Sequence, residues 1–226
     1  RKTLKGFINQ NSTYPIEIII YDDASTDSSV SIIKEYANKY PDYFKTIFQK
    51  DNQWSIIKGG IYPRLVFPHA RGKYIALCEG DDYWTDPNKI QDQIDFLENN
   101  KEFTLTSGGY IQKTNSGKTE KVVKSNQINK SDKYGFPFTI KDSLNVWLTK
   151  TLTVCFRKES INGLKLSPFE KFRDTYLYYH ILRKGKGFYF NRVFGYYNIH
   201  ENGIYSGADM IEKLELSRNT YSDLYN

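Results

Sequence analysis

The stretch Lys73-Tyr74-Ile75-Ala76-Leu77-Cys78-Glu79-Gly80-Asp81-Asp82 sets an apolar run directly against an acidic turn. Residues 73–78 are few and almost wholly apolar, the pattern of a strand covered on both faces. The same grammar occurs earlier. Residues 16–21 hold four isoleucines, β-branched side chains that pack on a pleated surface, and end in Asp22-Asp23. Each strand is followed by a helix signal. Ser25 or Thr26 can cap a helix carrying Val30, Ile33, Ala37 and Tyr40 at helical spacing before Pro41, and Asp86-Pro87 opens another with Ile90, Ile94 and Leu97 on one face. Strand, acidic turn and helix, twice over, predict an α/β domain with a largely parallel central sheet and ligands at the carboxyl ends of its strands.

Outward from these units the pattern loosens. A strand is expected over residues 46–49. Gly59-Gly60, Pro63 and Pro68 make residues 52–71 a loop with at most short or broken helix. From Gln112 to Lys133 six lysines face only Glu120 and Asp132, without apolar period, and a mobile loop is expected. A strand over 151–157, a helix over 175–184 closed by Gly185, and an aromatic strand or strand pair over 187–197 follow. Residues 207–225 read as an amphipathic helix with Met210, Leu214 and Leu216 or Ser217 inward. No internal repeat and no linker appears, so one domain over 1–226 is expected, with halves at 1–110 and 111–226. The chain opens on Arg1-Lys2-Thr3-Leu4 and a helix-like stretch with Leu4, Phe7 and Ile8 on one face, and a strand ahead of it is expected upstream.

Bulk properties narrow the classes. The 226 residues are 39% hydrophobic and 26% charged, an ordinary globular composition. The net charge of +6 suits phosphorylated ligands or an anionic membrane surface. The basic residues form no dense block and do not interleave with the aromatics, which argues against nucleic acid. Cys78 and Cys155 sit in apolar segments, away from any Cys-x-x-Cys spacing, as buried thiols of a reducing compartment do. No spanning segment or signal-peptide core is visible, so a soluble, cytoplasmic protein is expected.

Crowded carboxylates repel one another, and holding Glu79, Asp81 and Asp82 ionised at one strand end calls for a cation. Hard oxygen ligands suit Mn²⁺ or Mg²⁺, which take one or two carboxylates and complete their shell with water and substrate phosphates. A nucleoside diphosphate is the substrate this combination points to. A solvated acidic turn is the plain alternative. Asp22 and Asp23 come too early to cap the following helix and are placed to accept a base N–H or ribose hydroxyls, whereas Ser25, Thr26 and Asp27 are ordinary first-turn residues.

The order Tyr21-Asp22-Asp23-Ala24-Ser25-Thr26-Asp27, Ala70-Arg71-Gly72-Lys73-Tyr74-Ile75-Ala76 and Glu79-Gly80-Asp81-Asp82-Tyr83-Trp84 resembles family 2 glycosyltransferases of the GT-A fold, above all bacterial enzymes of surface-polysaccharide synthesis. The resemblance implies a Rossmann-like nucleotide-binding domain whose first strand has no counterpart here. It implies that Asp22 and Asp23 contact base and ribose, that Glu79 reaches toward the ribose, and that Asp81, with Asp82 beside it, holds the metal. Glu79 stands where the commoner pattern has aspartate. In the second half Phe172-Arg173-Asp174-Thr175 opens a helix, and the resemblance makes Asp174 the general base, since inversion needs a carboxylate on the acceptor side. A helix N-cap is its alternative.

His200, in Tyr196-Tyr197-Asn198-Ile199-His200, matches a family segment whose histidine approaches metal or diphosphate, with Asn198 in place of the usual arginine; a structural histidine is the alternative. Lys58, Arg64 and Arg71 are either phosphate partners or solvated surface. The 112–133 loop is either merely solvated, a cover over the diphosphate, or a contact to anionic lipid. The implied activity is inverting transfer from a nucleoside-diphosphate sugar, UDP-linked first of all, to a saccharide or lipid-linked acceptor, with peripheral contact at the inner membrane face. Rival readings are a non-catalytic nucleotide-sugar or carbohydrate module, a nucleotidyltransferase and a glycoside hydrolase.

Overall fold

The computed structural model describes residues 1–57, 60–114, 116–124, 132–166 and 173–200. In chain order the elements are α1 (Lys2–Ile8), β1 (Ile18–Asp22), α2 (Ser29–Lys39), β2 (Phe44–Phe48), α3 (Gln53–Ile57), β3 (Tyr74–Ala76), β4 (Tyr83–Trp84), α4 (Lys89–Asn99), β5 (Phe103–Lys113), β6 (Thr119–Val122), β7 (Gly135–Phe138), α5 (Ile140–Asn145), β8 (Cys155–Arg157), α6 (Asp174–Leu182) and β9 (Lys186–Asn198). Short helical turns occupy Tyr62–Val66, Phe67–His69 and Thr151–Thr153. The proline-rich segment before β3 is thus broken helix, as its composition requires.

β1 and β2 pair in parallel as a separate two-stranded sheet. The larger sheet runs β3-β8-β5-β9-β4, with β6 on β5 and β7 on β9. β3, β6 and β8 meet their partners antiparallel, as do β4 and β7 against β9, and among the described residues only β5–β9 is parallel within this sheet. The architecture is the expected α/β. The expectation of a mostly parallel central sheet is corrected: after β5 the chain turns back through a hairpin, and β8 returns from far along the sequence to insert between β3 and β5. Strand direction is set by those returns, which the local pattern does not encode.

Alternation across the strands explains why residues 73–78 are so apolar. Ile75, Leu77, Leu105 and Phe156 enter one core cluster with Leu177 and Ile181 of α6, while Tyr74, Ala76, Phe103 and Cys155 face the other with Ile90, Ile94 and Leu97 of α4. Helices therefore cover both faces. Ile90, Ile94 and Leu97 lie on one side of α4 as the spacing predicted, and full burial of Leu97 contributes roughly 2 kcal/mol.

The expected 112–133 loop is corrected in part. β5 continues through Lys113 and turns at Gly117, whose φ of 80° is the left-handed region glycine tolerates, into β6. Its polar side chains alternate along a hairpin rather than a coil. The strand over 151–157 divides into the Thr151–Thr153 turn and β8, and the aromatic segment is the single long strand β9. Lys58, Phe172, residues 125–131 and the helix expected over 207–225 lie outside the described residues.

Candidate active site

Asp22, Asp23, Glu79, Asp81, Asp174 and His200 all border one cleft. The two halves of the sequence thus deliver their acids to one space.

The acidic turn is built by three elements. Its own backbone closes with Asp82 N–H donating to Glu79 O at 3.2 Å. From α1, the Thr3 hydroxyl donates to Gly80 O and Asp82 O at 2.9 and 2.6 Å. α1 comes this near because Gly6 has no side chain; a Cβ there would stand 2.7 Å from Trp84 O. From the end of β9, Asn198 N–H donates to Asp82 Oδ1 at 2.9 Å, and the Asn198 amide bonds Asp81 O. Asn198, which carries no charge for a phosphate, therefore clamps the turn. His200 Nε2 lies 2.7 Å from Asp81 Oδ2.

Asp82 is fully buried, and its Oδ2 has no hydrogen-bond partner among the described residues. Burial lifts its carboxyl to about 7, with Asp81 adding to the rise and Asn198 N–H opposing it. Glu79 is raised too, by burial first, then by the charges of Asp174 and Asp82, against the pull of Lys150.

Asp174 is the first residue of α6, after Arg173 at the N-cap position. Its carboxylate accepts a 2.8 Å hydrogen bond from Thr151 Oγ1. Burial raises its pKa, and the Thr151 bond, Lys150 and Arg173 oppose the rise. A recessed carboxylate with a raised pKa, held by one hydroxyl at the cleft wall, is suited to accept a proton.

At the other end, Asp22 Oδ1 accepts Ser25 N–H at 3.1 Å, across a turn in which Ala24 takes a positive φ of 63°. Asp23 receives Gln53 N–H and Trp54 N–H at 2.7 and 2.9 Å and the Tyr21 hydroxyl at 3.1 Å. Asp23 thus anchors the N-terminus of α3, a use its position in the sequence did not suggest. Arg71 pairs with Glu17 at 2.9 Å, and Arg64 reaches Leu166 O at 3.4 Å.

Sequence reasoning missed Lys150. Its ammonium sits 3.1 Å from the centre of the Tyr197 ring, in the field of Glu79, Asp82, Asp174 and Asp81. A single lysine between Thr149 and Thr151 offers no pattern by which to find it. Thr151 and Thr3 were equally silent.

The residues fit a divalent cation in one specific way. Asp81 and His200 are in contact at the cleft, Asp82 holds an orphaned oxygen behind them, and a Cβ at Gly80 would meet nothing within 4 Å, so the turn faces open space. Among the described residues no three His, Cys, Asp or Glu side chains converge on one point. An ion here would need phosphate oxygens and water to complete its shell, the usual habit of Mg²⁺ and Mn²⁺ at nucleotide sites.

The mixed sheet covered by helices has the GT-A fold. GalNAc-T7, solved with UDP, GalNAc and Mn²⁺, shares this fold at a TM-score of 0.63, over 97% of this chain and 45% of that one, with 13% identity. The model of glycosyl transferase family 2 matches residues 1–156, and the chain belongs to that family. An uncharacterized protein of Mycobacterium tuberculosis is 45% identical over 107 residues, which cover 46% of this chain and 29% of the relative. The Escherichia coli protein named UDP-Glc:alpha-D-GlcNAc-diphosphoundecaprenol beta-1,3-glucosyltransferase WfaP is 42% identical over 99 residues, 43% of this chain and 36% of the relative. The chain spans about a third of the length of these two relatives.

Proposed function

We propose that the domain is an inverting glycosyltransferase moving a sugar from a nucleoside-diphosphate sugar, a UDP-sugar first of all, to a hydroxyl of a saccharide or lipid-linked saccharide in surface-polysaccharide synthesis. The observation that carries the reading is Asp174, a recessed carboxylate of raised pKa held by Thr151 on the same cleft as the acidic turn. The name of the Escherichia coli relative, with its UDP-sugar donor and lipid-linked acceptor, supports the choice of substrates.

Asp22 and Asp23 border the end of the cleft that would take base and ribose. Asp81, with His200 and Asp82, would hold Mn²⁺ or Mg²⁺, whose charge neutralises the leaving diphosphate when bound. Thr3 and Asn198 keep the turn in register for the donor. Asp174 Oδ removes the proton of the acceptor hydroxyl as that oxygen forms its bond to the anomeric carbon and the bond to the diphosphate breaks.

Nucleotide sugars screened with Mn²⁺ for transfer and hydrolysis test the reading, together with Asp174→Asn. Transfer by the variant is expected to fall about 10²- to 10⁴-fold while donor affinity holds within about twofold. Unchanged transfer would remove Asp174 from the mechanism. Donor binding without turnover in the wild type would instead indicate a binding module.

A further inference from the structure

Lys150 is fixed before any ligand arrives. Its carbonyl accepts hydrogen bonds from both the N–H and the hydroxyl of Thr153, each at 2.8 Å. The turn that follows is pinned from below by Trp84 Nε1 on Leu152 O at 2.7 Å and by Gln93 Nε2 on Thr153 O at 2.8 Å. Gln93 is itself held by the buried Lys89, whose ammonium donates to it at 2.7 Å. These hydrogen bonds hold the backbone under Lys150 at the cleft wall.

Its ammonium has no polar partner among the described residues. Among the described residues it makes no hydrogen bond and no ion pair within 4.0 Å, although it feels Glu79, Asp82, Asp174 and Asp81. A lysine present only to neutralise those acids would be expected to close on one of them. This one rests on the face of Tyr197 instead, which leaves its three N–H donors to the cleft. An incoming oxyanion would meet four carboxylates here, and Lys150 is the cation whose field they share.

We infer that Lys150 is a donor-binding residue whose ammonium contacts the terminal phosphate of the nucleoside diphosphate, the group that leaves in the reaction. The inference rests on the nucleotide-sugar reading above. It assigns the Tyr197 ring a purpose as well: the ring holds the ammonium short of the carboxylates, so that the charge is not spent on Glu79 or Asp174 before the donor binds. Burial lowers the Lys150 pKa, and the charges of Glu79, Asp82, Asp174 and Asp81 oppose the fall.

Calorimetry with Mn²⁺ and UDP, GDP or dTDP, each compared with its monophosphate, tests the contact on the wild-type chain and on Lys150→Met. The variant should weaken the tightest-binding diphosphate about tenfold or more and leave the matching monophosphate within about twofold. Lys150→Arg should recover part of the loss, and the melting temperatures of both variants should stay close to wild type. Equal weakening of diphosphate and monophosphate, or no weakening of either, would overturn the role of Lys150 and leave the nucleotide reading intact. Failure of the wild type to bind any of the three diphosphates would overturn the nucleotide reading, and this inference with it.

Discussion

At the scale of single residues the site trades stability for chemistry. Asp82 titrates near 7 in the folded chain against an ordinary value of 3.8, so the folded state holds a proton that the unfolded state has already released. The Asp82 contribution to the stability of the metal-free protein should therefore fall as pH rises from about 4 to about 7, and Glu79, raised to about 8, extends the fall beyond it. Thermal melts in EDTA check this, and Asp82→Asn should make the fall shallower and raise stability at pH 8 while abolishing Mn²⁺-dependent nucleotide binding. A pH profile unchanged by the substitution would assign the slope elsewhere. Thr151 offers a second measurement. Its hydroxyl holds the Asp174 pKa down, so Thr151→Val should move the acidic limb of the rate profile to higher pH and lower kcat about tenfold, with KM little changed. The candidate acids were legible because each stands beside an apolar run or a helix start. Their partners were not, since Thr3, Lys150, Thr151 and Asn198 reach them across distances that no local pattern records.

At the scale of elements the acidic turn depends on α1 and β9, the first and last described segments that touch it. Gly6 shows the dependence. Alanine is the better helix former by about 1 kcal/mol, yet a Cβ at this position would be driven against Trp84 O. Gly6→Ala is expected to cost a net 1–3 kcal/mol in denaturant melts, the usual range for overpacking, and to weaken nucleotide binding as Thr3 is lifted from the turn. A stabilised variant with intact binding would refute this packing account. α4 was legible almost residue by residue because one face carries its periodic apolar side chains. β6 was not, because Thr119, Glu120 and Lys121 are polar and exposed in succession and only Val122 is apolar.

At the scale of the whole molecule one buried side chain joins the sheet to its covering helix. Arg157 on β8, only 5% exposed, donates to Phe103 O at 2.9 Å, to the Tyr74 hydroxyl at 3.1 Å, and to Leu97 O and Asn100 O at the C-terminus of α4. Helix-end carbonyls that lose such a partner in a dry interior are costly. Arg157→Met should lower unfolding stability by on the order of 3 kcal/mol in urea titrations with an unchanged m value, and a loss under about 1 kcal/mol would show that water replaces the guanidinium. The sequence by itself determined the two strand-and-acid units, the helices behind them and the family, because apolar period and turn chemistry are local properties of the chain. Only the tertiary structure decided that the sheet is mainly antiparallel, that Asn198 clamps the acidic turn, that Thr151 holds Asp174 and that Lys150 rests on the Tyr197 ring. Those facts are set by chain returns and packing between distant segments, where the energy lies in contacts that no short stretch of sequence contains.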